Sequence, residues 1–142
     1  MIFAVANREG VIAPSFEQRL YEYMGGLLKT KGHYPLMING HLDHVHVFFE
    51  MNPKEALSDL ARDLKANTSK WIHDNHFLPG FFQWQNGYGG FSYSKSQRHT
   101  VIQYIERQKE HHRKTTFKEE YLKILQAFEI DFKDEYLFQF WE

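Results

Sequence analysis

The chain contains no cysteine. Disulfides and thiolate metal sites are therefore excluded, and any bound metal must be held by His, carboxylate, amide or water. The absence also fits a reducing cytoplasm. No apolar run is long enough to span a membrane, and no signal-peptide pattern opens the sequence, so a cytoplasmic location without membrane partners is expected. Net charge is nearly absent as well, at −1. That balance conceals an uneven distribution. Between Lys95 and Lys118 stand seven bases (Lys95, Arg98, Arg107, Lys109, Arg113, Lys114, Lys118) and two acids. From Glu119 onward, seven acids face two bases. A basic face of this kind concentrates polyanions, although a solvated helix followed by an acidic tail would show the same counts.

Hydrophobic residues make up 42% of the 142 positions, and 13 Phe, 8 Tyr and 3 Trp supply large anchors for a core or an interface. This composition excludes a disordered tail and fits one domain over residues 1–142.

Residues 2–5 form a short apolar run with strand character. Pro14 opens a helix whose apolar residues (Phe16, Leu20, Tyr23, Met24, Leu27, Leu28) recur every three to four positions, and Gly32 closes it. Residues 34–38 and 44–51 predict two strands joined around Asn39-Gly40, a favoured hairpin-turn pair. Pro53 precedes a second helix carrying Ala56, Leu57, Leu60, Leu64, Thr68 and Trp71 at helical period. Residues 80–90 mix strand-forming aromatics with glycines, and residues 91–94 continue extended. A third helix is expected over residues 96–112 and a fourth over 117–128, while the aromatic segment 136–141 is expected to dock. This order predicts an α+β fold: a ferredoxin-like βαββαβ sandwich with a central antiparallel sheet, plus extra C-terminal helices.

The segment His41-Leu-Asp-His-Val-His-Val-Phe-Phe49 carries the strongest chemical signal. Side chains alternate along a strand, so His44 and His46 project from one face and Val45 from the other. Two imidazoles so placed can share a divalent metal, or can simply be two half-exposed histidines on a sheet. On the third helix, Tyr104 and Gln108 are spaced i, i+4 and share a face. Each half supplies what the other lacks. A metal held by two histidines needs a third ligand, and Gln108 Oε1 is a hard oxygen suited to Mg²⁺ or Mn²⁺. A phosphodiester polarised by that metal needs a nucleophile, and Tyr104 lies one helical turn away. His41 falls on the opposite strand parity from His44, which argues against it as a ligand. His112, at i+4 from Gln108, could replace or supplement the amide.

Taken together, Asn39-Gly-His-Leu-Asp-His-Val-His46, Asp63-Leu-Lys-Ala-Asn-Thr-Ser-Lys-Trp71, Trp84-Gln-Asn-Gly-Tyr-Gly-Gly-Phe-Ser92, Tyr104-Ile-Glu-Arg-Gln-Lys-Glu-His-His112 and Phe117-Lys-Glu-Glu-Tyr121 resemble the single-tyrosine HUH transposases of small bacterial insertion sequences, including their repeat-associated relatives. The resemblance covers nearly the whole chain in order. It implies His44, His46 and Gln108 as metal ligands for Mg²⁺ or Mn²⁺ and Tyr104 as the nucleophile. The activity implied is cleavage and rejoining of single-stranded or hairpin DNA through a 5′-phosphotyrosine. It further implies a cytoplasmic, DNA-associated bacterial protein and a homodimer with shared active sites, the Tyr helix of one subunit completing the His pair of the other. Gly87, Gly89 and Gly90 would tether that helix.

DNA contacts are expected from Arg62, Lys65, Asn67 and Lys70 on the second helix and from Lys95, Arg98, Arg107, Arg113 and Lys114 near the third. Exposed aromatics such as Trp84 or Tyr88 could stack on bases. One departure stands out: family members usually begin further upstream, so the first strand is expected to be short. Two rival readings are a phosphodiesterase using metal-bound water and a non-catalytic hairpin-binding descendant.

Overall fold

Alternation along one strand organises the molecule. The computed structural model describes residues 1–6 and 12–128. Its strands β1 (Ile2–Ala4), β2 (Tyr34–His41) and β3 (His44–Glu50) form an antiparallel sheet in the order β1-β3-β2. Val45 and Val47 of β3, with Phe3 and Val5 on the first strand and its continuation, enter the main core. There they meet Phe16, Leu20, Met24 and Leu28 of helix α1 (Pro14–Thr30) and Leu60, Leu64 and Ile72 of α2 (Leu57–Asp74). Burying each such side chain contributes about 1.5–3 kcal/mol. This face therefore anchors the sheet and leaves the other free to carry polar groups.

On that other face, Ile2 and Ala4 pack against Phe117, Tyr121 and Leu125 of helix α5 (Phe117–Ala127). The register places Ile2 beside His46 and Ala4 beside His44. Thus the histidine pair is roofed by α5 and by two shorter helices, α3 (Arg98–Glu106) and α4 (Gln108–His111), which follow a single 3₁₀ turn at Lys95–Gln97.

The ferredoxin-like α+β plan is present, with four local differences from the expectation. First, Asn39 and Gly40 lie inside β2, paired with His46 and Val45, and the hairpin turns at Leu42-Asp43 instead. Close backbone approach explains the glycine: a Cβ at Gly40 would lie 2.1 Å from the carbonyl oxygen of His44. Second, the final strand is reduced to two isolated bridges, Ile2 with Gly89 and Val5 with Trp84. The backbone between them departs at Gly87, whose φ is +81°, and Lys65 Nζ donates to the carbonyls of Gln85 (2.6 Å) and Gly87 (2.7 Å) that leave the sheet there. Third, the third helix is interrupted at Arg107, between α3 and α4. Fourth, the chain turn at Leu42-Asp43 makes His41 the direct cross-strand partner of His44. His41 therefore shares the face of His44, contrary to the parity argument, because parity counts only within one continuous strand. The aromatic segment 136–141 lies outside the described residues.

Candidate metal and nucleophile site

His44 and His46 are both buried rather than half-exposed. Asp43 Oδ1 accepts from His44 Nδ1 at 2.8 Å, which fixes the ring and aims Nε2 away from the turn. The ring also stacks on Phe117, with centroids 4.1 Å apart. Nε2 of His44 donates to Gln108 Oε1 at 2.9 Å, so the amide on α4 meets the pair on β3 directly.

Tyr104 and Gln108 still share a side despite the break at Arg107. Asn39 accounts for this. Its amide nitrogen donates to the carbonyls of Ile105 (3.0 Å) and Glu106 (3.1 Å). A continuing helix would offer those carbonyls to residues 109 and 110. The helix end is thereby stapled to β2, and Tyr104 and Gln108 are carried onto the histidine face.

A residue the sequence reading missed lies at the centre. Glu120, on α5, is 2% exposed. Its Oε1 lies 3.1 Å from His46 Nε2, 3.2 Å from His112 Nε2 and 3.4 Å from His44 Nε2. Its Oε2 accepts from Gln108 Nε2 at 3.0 Å and from the Tyr104 hydroxyl. His111 Nε2 stands 3.5 Å from that hydroxyl. His112 donates from Nδ1 to the Thr115 carbonyl (2.7 Å) and turns Nε2 towards Gln108 Oε1 at 3.1 Å. His41 stacks on the outer side of His112, centroids 5.5 Å apart. A signal for Glu120 did exist. The apolar positions Phe117, Tyr121, Ile124 and Leu125 form one helical stripe, and Glu120 falls within it.

The electrostatics follow from burial and pairing. Burial disfavours charge on His44, but Asp43 and Glu120 outweigh it and raise its pKa to about 9. Burial lowers the pKa of His46 despite its hydrogen bond with Glu120. Burial would push Glu120 up, yet hydrogen bonds from His112, His44 and His46 hold it well below the usual carboxylate range. Burial, and then the charge of Glu120, raises the Tyr104 phenol above its ordinary value.

This donor set fits a divalent ion. Ligands about 2.0–2.2 Å from an ion stand roughly 3.0–3.4 Å apart around octahedral or tetrahedral centres. His112 Nε2 to Gln108 Oε1 (3.1 Å) and the Nε2 atoms of His44, His46 and His112 to Glu120 Oε1 (3.4, 3.1 and 3.2 Å) fall in this range, and His44 Nε2 to Gln108 Oε1 (2.9 Å) lies just below it. Among the described residues, His44, His112 and Glu120 each offer a ligand atom within 4.8 Å of the other two. Imidazole, amide oxygen and carboxylate together are compatible with Mn²⁺ or Mg²⁺.

The expected DNA contacts divide. Lys65 is occupied in holding the Gln85–Gly87 backbone. On the same helix Arg62 pairs with Asp59 and Asp63, Lys70 pairs with Asp74, and Asn67 donates to the Asp63 carbonyl. Trp84 is buried and donates from its indole to Thr68, so it is a core residue. Arg98 pairs with Glu50, and Lys95 is exposed. By contrast, Arg107, Arg113 and Lys114 line a groove of about 670 Å³ whose wall includes Tyr104 and His111. The bases that line the groove beside Tyr104 are thus those of the break between α3 and α4 and of the turn after α4.

No curated protein is similar enough to the sequence to be matched to it. Among solved structures, a crystal structure of a Deinococcus radiodurans R1 protein described as a candidate transposase superposes with a TM-score of 0.57. It is 21% identical, over 75% of this chain and 86% of that one. That likeness supports the fold. Among the described residues no helix is long and apolar enough to cross a membrane. The family model for IS200-like transposases matches residues 1–108, from β1 through both histidines and Tyr104 to Gln108, and the chain belongs to that family.

Proposed function

We propose that this transposase cleaves and rejoins single-stranded DNA through a 5′-phosphotyrosine on Tyr104, with Mg²⁺ or Mn²⁺ held by His44, His46 and Gln108. The observation that carries this reading is the convergence of Tyr104, Gln108 and the buried histidine pair in one hydrogen-bonded cluster. His44, His46 and Gln108 would hold the metal, which would supply Lewis-acid stabilisation of the charge that develops on the scissile phosphate. Arg107, Arg113 and Lys114 bring the DNA backbone along their groove to the phenol. Tyr104 then attacks phosphorus, the P–O bond to the 3′-oxygen breaks, and that oxygen leaves with the electron pair and takes a proton from water. The new phosphotyrosine ester retains the energy of the broken bond, so a second 3′-hydroxyl can reverse the step without ATP. A homodimer would hold both ends of an element, one at each site.

Labelled single-stranded DNA carrying the element's end hairpin, incubated with Mg²⁺ or Mn²⁺ and run on a denaturing gel, tests the reading. A shifted protein–DNA adduct is expected, and Tyr104→Phe should abolish it while sparing hairpin binding. Cleavage that survives Tyr104→Phe would instead indicate a hydrolase using water. Binding without any adduct would indicate a non-catalytic descendant.

A further inference from the structure

We infer that Glu120 is the proton acceptor for Tyr104. The inference rests on the function just proposed and extends its chemistry. A phenol of ordinary pKa about 10 is almost wholly protonated at neutral pH, and burial beside an anion holds Tyr104 higher still. Some group must therefore take the proton as the phenol attacks. Lys and Arg near the helix cannot accept one while charged. The group in place is a carboxylate: Glu120 Oε2 receives the Tyr104 hydroxyl directly.

The two oxygens of Glu120 face different partners. Oε1 points at the imidazoles of His44, His46 and His112. Oε2 points at the phenol and is steadied by the amide of Gln108 at 3.0 Å. The ligand set thus orients the acceptor, and the acceptor orients the nucleophile. Carboxylates perform this task for hydroxyl nucleophiles in other phosphoryl transfers. As the Oη–P bond forms, the phenol oxygen loses electron density, its proton becomes acidic, and the Oη–H bond breaks towards Oε2. On rejoining, Tyr104 leaves phosphorus and takes the same proton back.

Glu120→Gln separates the two roles, because glutamine keeps a carbonyl oxygen for the ligand set and loses the acceptor facing Tyr104. Single-turnover adduct formation is expected to fall about 100-fold or more, the range of general-base effects. Mn²⁺ affinity, measured by calorimetry, should fall by less than tenfold, and hairpin-DNA binding should persist. Replacing Tyr104 by 3,5-difluorotyrosine, a more acidic phenol, should restore at least tenfold in the Glu120→Gln background and far less in the unaltered chain. An undiminished Glu120→Gln rate overturns the assignment. So does a loss of Mn²⁺ binding equal to the loss of rate, or the absence of rescue by the acidic phenol. If Glu120→Gln does not fold, Glu120→Asp, which retracts the carboxylate, takes its place under the same criteria. Should the unaltered chain form no adduct, the proposed function falls and this role with it, whereas an adduct with an indifferent Glu120 removes this role alone.

Discussion

The side-chain amide of Asn39 donates to the carbonyl oxygen of Ile105 at 3.0 Å, a contact that spans 66 positions of sequence. Together with the bond to Glu106 it ties the C-terminal end of α3 to the strand paired with the histidines. Asn39→Ala removes both donors. Each bond contributes about 0.5–1.5 kcal/mol, so urea unfolding should show a loss of about 1–3 kcal/mol. Adduct formation should fall further than stability alone explains, because Tyr104 and Gln108 lose their common orientation. Unchanged stability and unchanged rate would show that the staple is incidental.

Within one chain, Tyr104 reaches the same glutamate as His46. The sequence resemblance implies a site shared between subunits, yet the geometry assembles it without exchange of a helix. Mixing Tyr104→Phe and His46→Ala proteins tests the point. Each variant should be inactive alone, and the mixture should stay inactive if every site is built from one chain. Adduct formation in the mixture at a quarter or more of the unaltered rate would demonstrate sharing.

Metal binding should be strongly pH-dependent. Without metal, His44 holds its proton up to a pKa of about 9, and coordination requires the neutral ring. Below that pKa the proton competes with the ion. Apparent Mn²⁺ affinity should therefore rise between pH 7 and pH 9, by up to about tenfold per unit for one displaced proton. Calorimetry in buffers of different ionisation enthalpy would report the proton released. An affinity flat across that range would mean that His44 is not a ligand.

Gly40→Ala probes the hairpin. Its Cβ would stand 2.1 Å from the His44 carbonyl oxygen and 2.9 Å from Val45 Cα. Both atoms are backbone, so β2 and β3 must separate beside the site. Overpacking typically costs about 1–3 kcal/mol, and the upper end is expected, with weakened Mn²⁺ binding alongside. A fully stable variant that binds Mn²⁺ normally would show that the strands can yield there.

Much of this arrangement was legible in the residues. The period-two pattern of β3 placed His44 and His46 on one face, and the four-residue spacing of Tyr104 and Gln108 survived a break in their helix. Other features depend on partners distant in sequence. Asn39-Gly40 has the composition of a turn, but Gly40 serves a close strand approach and Asn39 serves a helix end, both invisible locally. Lys65 holds the backbone of Gln85–Gly87, a contact 20 and 22 positions away that no local pattern announces. Glu120 sits beside Glu119 in an acidic run, and only its place on an apolar stripe distinguishes it from a solvated neighbour.

The alternation of β3 has a consequence for how the protein can fail. Slipping its pairing by one residue would send His44 and His46 into the apolar core and turn Val45 and Val47 towards Tyr104. No misregistered sheet keeps the histidine face intact, because one set of backbone bonds fixes both faces. Fold and candidate site therefore fail together: a chain with β3 out of register presents Val45 and Val47, rather than the two histidines, beneath α3, α4 and α5.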